Sequence, residues 1–281
     1  MISVVQLGTI DYATGLRLQQ KLVDLRKEGR IGDVLLLLEH TPVITLGRNA
    51  KAANVLAPAD VLKKRGVEVF ECDRGGDVTF HGPGQLVGYP IYDLRGSLRN
   101  DPEVGKPRKT LGAIEYVRRL EEVLIRTCAD FQIPAERIPG LTGVWTSISD
   151  TARDEEASPD RPNRQPNLQS SKIAAIGVHI SRAVTSHGFA LNVNTDLNYF
   201  NLIVPCGIAS KPVTSMEKEL RKALRLDDVA QSVVRNFAMV FESQILWLES
   251  LDGLLGEQVD VPARPPKELR RLHGEEETFW A

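Results

Sequence analysis

Apolar positions recur at helical spacing over Asp11–Lys27, with Leu16, Leu22, Val23 and Leu25 among them. They do so again over Thr110–Phe131, where Leu111, Ile114, Val117, Leu120, Leu124 and Phe131 form one stripe. Val34–Leu38 is apolar throughout, the pattern of a strand covered on both faces. Thr41-Pro42 interrupts it, and Val43–Leu46 resumes as a second strand. Pro58 opens a short helix through Lys64 that Gly66 ends, and Val67–Glu71 is the next strand. A glycine-rich stretch, Arg74–Gly88, leads to strands at Tyr89–Leu94 and Leu141–Trp145.

Asp150–Gln169 is polar and nearly free of large apolar residues. It cannot bury enough surface to offset chain entropy, so a flexible insertion is expected there. Strand character returns in Ile173–Ile180, Gly188–Val193 and Phe200–Val204. Thr214-Ser215-Met216-Glu217 has capping-box spacing and predicts a helix start. Val229–Leu248 reads as a further long helix. Strands and helices alternate irregularly, which predicts an α/β (α+β) fold with a central mixed sheet flanked by helices. One domain over residues 1–255, interrupted at about 150–169, would be followed by a peripheral tail over 256–281.

Composition narrows the partners. The chain has 281 residues, 42% hydrophobic and 26% charged, enough to bury a sizeable core. A net charge of −2 gives no electrostatic reason to expect nucleic acid or an anionic membrane. No apolar run approaches the ~18 residues that span a bilayer, and Met1–Gln6 lacks the pattern of a signal peptide. Three cysteines, an odd and widely spaced set, fit a reducing cytoplasm. His40, His81, His179, His187 and His273 show no metal-ligand spacing.

The cysteines differ in setting. Cys128 falls on the stripe of the long helix and reads as a small buried hydrophobe. Cys72 ends a strand. Cys206 lies in Val204-Pro205-Cys206-Gly207, where proline fixes φ and glycine allows a sharp turn, so the thiol is presented at a strand exit. A free thiol, with a pKa of ~8.5, is mostly protonated at neutral pH, and a nearby cation stabilises its thiolate. Lys172, opening Lys172–Gly177, is one candidate cation; a solvated lysine at a strand start is the plainer alternative. The glycines of Arg74–Gln85 permit close backbone approach and oxyanion-binding N–H groups, or simply a tight hairpin. That stretch matches neither G-x-x-x-x-G-K-[ST] nor G-x-G-x-x-G, so nucleotide binding gains no support. His179 and His187 flank a hairpin and read as hydrogen-bonded structural residues.

Five blocks in order then become recognisable: Arg74–Pro90, Gly143-Val144-Trp145, Lys172-Ile173-Ala174, Gly188–Val193 and Phe200–Gly207. Together they resemble the lipoyl(octanoyl) transferase family. The resemblance implies a fold similar to the biotin and lipoate ligase catalytic domain. It implies transfer of an octanoyl group from octanoyl-acyl carrier protein to a lysine of lipoyl domains, as the first step of endogenous protein lipoylation. The acceptors it implies are the lipoyl domains of 2-oxoacid dehydrogenase complexes and the glycine cleavage H protein. Carried over residue by residue, Cys206 would hold the acyl group as a thioester and Lys172 would be its acid/base partner. Arg74, Gly75, Gly76, Asp77, Val78, Thr79, Phe80, His81, Ala175, Ile176, Gly177, Gly188, Phe189 and Ala190 would line the acyl site. A thioester donor is already activated, so neither ATP nor any other cofactor, nor a metal, is expected. The rivals are an ATP-dependent ligase on the same fold, a cysteine hydrolase pairing Cys206 with His81 or His187, and a non-catalytic acyl-protein binding module.

Overall fold

The structure is a computed structural model that describes residues 1–95, 110–146, 170–207 and 211–264. In chain order the elements are β1 (Ile2–Ile10), α1 (Tyr12–Lys27), β2 (Asp33–His40), β3 (Val43–Leu46), α2 (Ala59–Lys64), β4 (Glu68–Glu71), β5 (Val78–His81) and β6 (Gln85–Ile91). They continue with α3 (Ala113–Asp130), β7 (Ala135–Ile138), β8 (Leu141–Thr146), β9 (Lys172–Ser181), β10 (Val184–Asn192), α4 (Met216–Leu220), α5 (Leu226–Val240), β11 (Ile245–Leu248) and α6 (Asp252–Leu255). Eight strands form one mixed sheet in the order β11-β1-β2-β6-β10-β9-β8-β7, and a second sheet has the order β4-β3-β5. This is the mixed sheet flanked by helices that the sequence predicts.

One apolar layer lies under α3 and α5, where Leu120, Leu124, Val233 and Phe237 meet Leu35, Leu37 and Leu191 from the sheet. A second layer lies under α1 on the other face, with Leu18 and Leu22 against Leu36, Leu38 and Tyr89. Both faces of β2 are therefore covered, which is why Val34–Leu38 is apolar at every position. Each such side chain, fully buried, contributes about 1.5–3 kcal/mol. α1 starts where it does because the Asp11 carboxylate accepts from the Thr14 N–H at 2.8 Å.

The two sheets meet beside β9, where the Gly75 N–H donates to the Val178 carbonyl at 3.0 Å. The open end of the β8–β9 pair is closed by Thr146 and Ser171. The Thr146 N–H donates to the Ser171 carbonyl at 2.9 Å, and the Ser171 N–H to Thr146 Oγ1 at 3.2 Å.

Several elements differ from the sequence pattern. Phe200–Val204 is not a strand: Leu197–Leu202 is a 3-10 turn, capped by Asp196, whose side chain accepts from the Asn198 N–H at 3.0 Å. The local Asp/Asn hydrogen bonding outweighs the strand preference of Phe200 and Ile203. The helix expected over Val229–Leu248 starts earlier and stops at Val240; Glu242 then takes a φ of 49°. The chain reverses there, and Ile245–Leu248 becomes β11, parallel to β1. The cap of α4 is Ser215, whose hydroxyl accepts from the Lys218 N–H at 3.2 Å. The insertion expected at 150–169 lies outside the described residues, as does the tail beyond residue 264. Before that point the chain runs beside β1, with Arg264 N–H donating to the Gln6 carbonyl at 2.7 Å. Among the described residues no helix is long and apolar enough to cross a membrane.

Candidate active site

Cys206 sits in a short turn, Pro205–Gly207, with a left-handed φ of 54°. The turn is pinned from both sides. The Val204 N–H donates to the Asn54 carbonyl at 2.7 Å, and the Gly207 N–H to the Val204 carbonyl at 3.0 Å. A Cβ on Gly207 would fall 2.6 Å from Asp77 Oδ2, so only glycine fits there. Asp77 Oδ2 also accepts from Asn54 Nδ2 at 2.6 Å, tying the glycine-rich loop to the same turn.

Lys172 opens β9 and is only 7% exposed, so the solvated alternative does not hold. Its backbone is fixed by the segment that leads into α4: its N–H donates to the Pro212 carbonyl at 2.8 Å, and its carbonyl accepts from Thr214 at 2.9 Å. Its amine donates to the Thr142 carbonyl at 3.2 Å and to Cys206 Sγ at 3.3 Å. The Trp145 ring lies 4.7 Å from Nζ, a cation–π contact of about 0.5–2 kcal/mol. A half-buried thiol and a buried amine are thus in direct contact.

Both groups open onto a cavity of about 190 Å³ between the two sheets. Apolar cavities of about 150 Å³ accept a benzene-sized ligand, so this one suits a short acyl chain. From the glycine-rich stretch Arg74, Gly75, Gly76, Asp77, Thr79 and His81 line it, and from β9 and β10 Ala175, Ile176, Gly177, Gly188, Phe189 and Ala190. Val78 and Phe80 do not. On a strand alternate side chains face opposite ways, and these two turn into the core under the small sheet, with Phe80 stacked on Tyr199 at 4.6 Å. Gly75 is no free oxyanion donor, because its N–H is spent on Val178.

The family model for the lipoyl protein ligase A/B catalytic domain matches residues 11–238. A curated octanoyltransferase of Koribacter versatilis is 59% identical over 273 residues, covering 97% of each chain. That of Acidobacterium capsulatum is 54% identical over 259 residues, covering 92% of this chain and 97% of its own. The chain belongs to the octanoyltransferase family. It is therefore an acyltransferase of the lipoylation system. Among solved structures, lipoate-protein ligase A bound with ATP shares its fold at a TM-score of 0.56 and 12% identity, over 90% of this chain and 91% of that one. A bi-partite lipoate protein ligase from Thermoplasma acidophilum does so at 0.56 and 14%, over 90% and 89%.

In this octanoyltransferase the cavity wall includes residues that sequence reasoning did not assign to it, Tyr12, Tyr89 and the hairpin Gly140-Leu141-Thr142, and also His187, which entered only as a partner of Cys206 in the hydrolase rival. The hairpin immediately precedes the Gly143-Val144-Trp145 block, and that adjacency was its one signal. His187 also bounds a second, polar cavity with Gln19, Lys27, Asp73 and His179, so its ring stands between the two. Its Nε2 is 2.8 Å from Asp73 Oδ1. Burial lowers the His187 pKa, against the pull of Asp73.

His81 Nδ1–H donates to Gln85 Oε1 at 2.8 Å, and Thr45 Oγ1 is 3.4 Å from Nε2. Both ring nitrogens are thus occupied away from Cys206. Burial, then the neighbouring His40 and Arg74 charge, hold His81 down to about 3, so it is neutral. The Arg74 guanidinium is fixed against Thr45, with Nη2 2.7 Å from the Thr45 carbonyl. Cys128 is buried under α3, its thiol pushed up to about 12 by burial, and Cys72 donates to the Leu46 carbonyl at 3.4 Å.

Proposed function

We propose that this chain carries an octanoyl group from octanoyl-acyl carrier protein to a lysine of a lipoyl domain, through a thioester on Cys206 with Lys172 as proton partner. The observation that supports it most is the 3.3 Å contact between Lys172 Nζ and Cys206 Sγ at the mouth of an acyl-sized cavity. In the first step the thiol proton passes to the Lys172 amine, and the thiolate attacks the donor's carbonyl carbon. The bond to the donor sulfur breaks, and the leaving thiolate takes the proton back from Lys172. In the second step the acceptor lysine attacks the Cys206 thioester and gives a proton to Lys172. Cys206 leaves as a thiolate, an amide remains, and Lys172 reprotonates the sulfur. One difficult transfer becomes two easier ones.

The energy for amide formation lies in the donor thioester, so ATP has no part, unlike in a ligase of the same fold. The proposed acceptors are lipoyl domains of 2-oxoacid dehydrogenase complexes and the H protein, and the proposed setting is the cytosol, where thiols stay reduced. Mixing the chain with octanoyl-acyl carrier protein without ATP should add one octanoyl mass, read by intact mass spectrometry. Cys206→Ser should show none, and Lys172→Ala should be slowed by about 10²- to 10⁴-fold. An adduct on Cys206→Ser, or dependence on ATP, would sink the proposal.

A further inference from the structure

Glu121 is a carboxylate buried to 1% exposure on α3, on the far side of β8 from the cavity. It accepts from Arg118 Nη1 at 2.8 Å, from Arg137 Nε at 3.1 Å and from the Gly143 N–H at 3.2 Å. That N–H belongs to the same peptide unit as the Thr142 carbonyl, the oxygen that accepts from Lys172 Nζ at 3.2 Å. In a trans peptide the N–H and C=O point opposite ways. One planar amide therefore stands between the Glu121 carboxylate on the α3 side and the Lys172 amine on the cavity side. The amide is locked in place: Gly143 has a φ of 121°, and a Cβ there would fall 2.7 Å from the Ala174 carbonyl oxygen and 3.4 Å from Lys172 Cε.

We infer that Glu121 is a positioning residue for the transfer: through the Thr142–Gly143 peptide it holds the Lys172 amine against Cys206 and favours its charged form beside the thiolate. A carboxylate on the N–H polarises the amide, and hydrogen bonds in such chains strengthen one another by about 10–30%. Other charged groups face this region. Arg74 and His81 line the cavity, and Asp77 lies against Gly207. Glu122 is paired with Arg126 and Arg137, and Glu219 accepts from Thr214 Oγ1. Of these, Glu121 alone shares a peptide with Lys172's acceptor.

This inference rests on the Cys206–Lys172 reading, and the experiment separates the two. The rate of octanoyl thioester formation on Cys206 is followed against pH by intact mass. For Glu121→Gln the profile should move to lower pH by about half a unit or more, with turnover reduced and KM for the donor unchanged. Glu121→Asp, which keeps the charge, should restore the native position. Arg118→Gln, a partly exposed substitution, leaves Glu121 less neutralised and should move the profile to higher pH. Arg126→Gln, whose residue pairs with Glu122 instead, should not move it. A folded Glu121→Gln with the native profile overturns the inference. If that variant does not fold, an unmoved Arg118→Gln profile overturns it. No adduct on the native chain at any pH ends the Cys206 reading and this inference together.

Discussion

Cys206 holds a left-handed backbone that side chains other than glycine rarely adopt, at a cost of order 1–2 kcal/mol. Asn54, Asp77 and the tight Gly207 hold it there. The sequence pattern Pro-Cys-Gly points to a presented thiol but cannot show this strain, because it depends on loops distant in the chain. Cys206→Gly should therefore be inactive yet more stable than Cys206→Ala by about 1 kcal/mol in denaturant titration. Equal stability of the two variants would show that the turn carries no strain. Lys172 illustrates the same limit: a lysine at a strand start is ordinarily exposed, and only the packing of Trp145 and Thr142 around it shows its use.

Elements were legible where one side of the chain is consistently apolar. The helices α1 and α3, and strands β2, β3 and β8, stand within a few residues of their expected limits. β1 was missed because Ser3, Gln6, Gly8 and Thr9 break up its apolar residues, while tertiary contacts on both faces bury them. β7 is a short edge strand without a burial pattern. The α5–β11 junction was hidden because the polar turn Glu242-Ser243-Gln244 is only three residues long, stands between two apolar runs and has no glycine or proline to mark it. β10 holds a kink of another kind, since His187 has a φ of 54° and stands as the partition between the two cavities. His187→Gly keeps that backbone and removes the partition. Acylation by a dodecanoyl donor, relative to octanoyl, should rise by about tenfold in the mass assay. An unchanged ratio would place the chain-length limit elsewhere.

At the scale of the whole molecule, stability is tied to acidity through buried neutral rings. His40, between the Ile10 carbonyl at 3.0 Å and the Tyr89 hydroxyl at 2.6 Å, is held down to about 4 by burial. His81 lies at about 3, again mainly through burial. An unfolded histidine takes up its proton near 6.5. The unfolded chain therefore gains protons that the folded chain refuses as pH falls below 6.5. Stability is complete above that value and is lost down towards pH 4 for His40 and pH 3 for His81. Between pH 7 and 5 each ring should remove about 2 kcal/mol of folding free energy. Denaturant midpoints that stay constant over that range would contradict the neutral-ring account.

The hydrogen bonds joining Thr146 and Ser171 act as a clasp at the root of the β8–β9 connection. Whatever chain lies between residues 146 and 171, its two ends are brought to the same spacing before either reaches Trp145 or Lys172. Because closing a longer loop costs little more than closing a short one, that stretch can grow, shrink or be exchanged for a foreign module while the sulfur and the amine keep their places. For an engineer this makes the connection a graft point close in sequence to both reacting side chains.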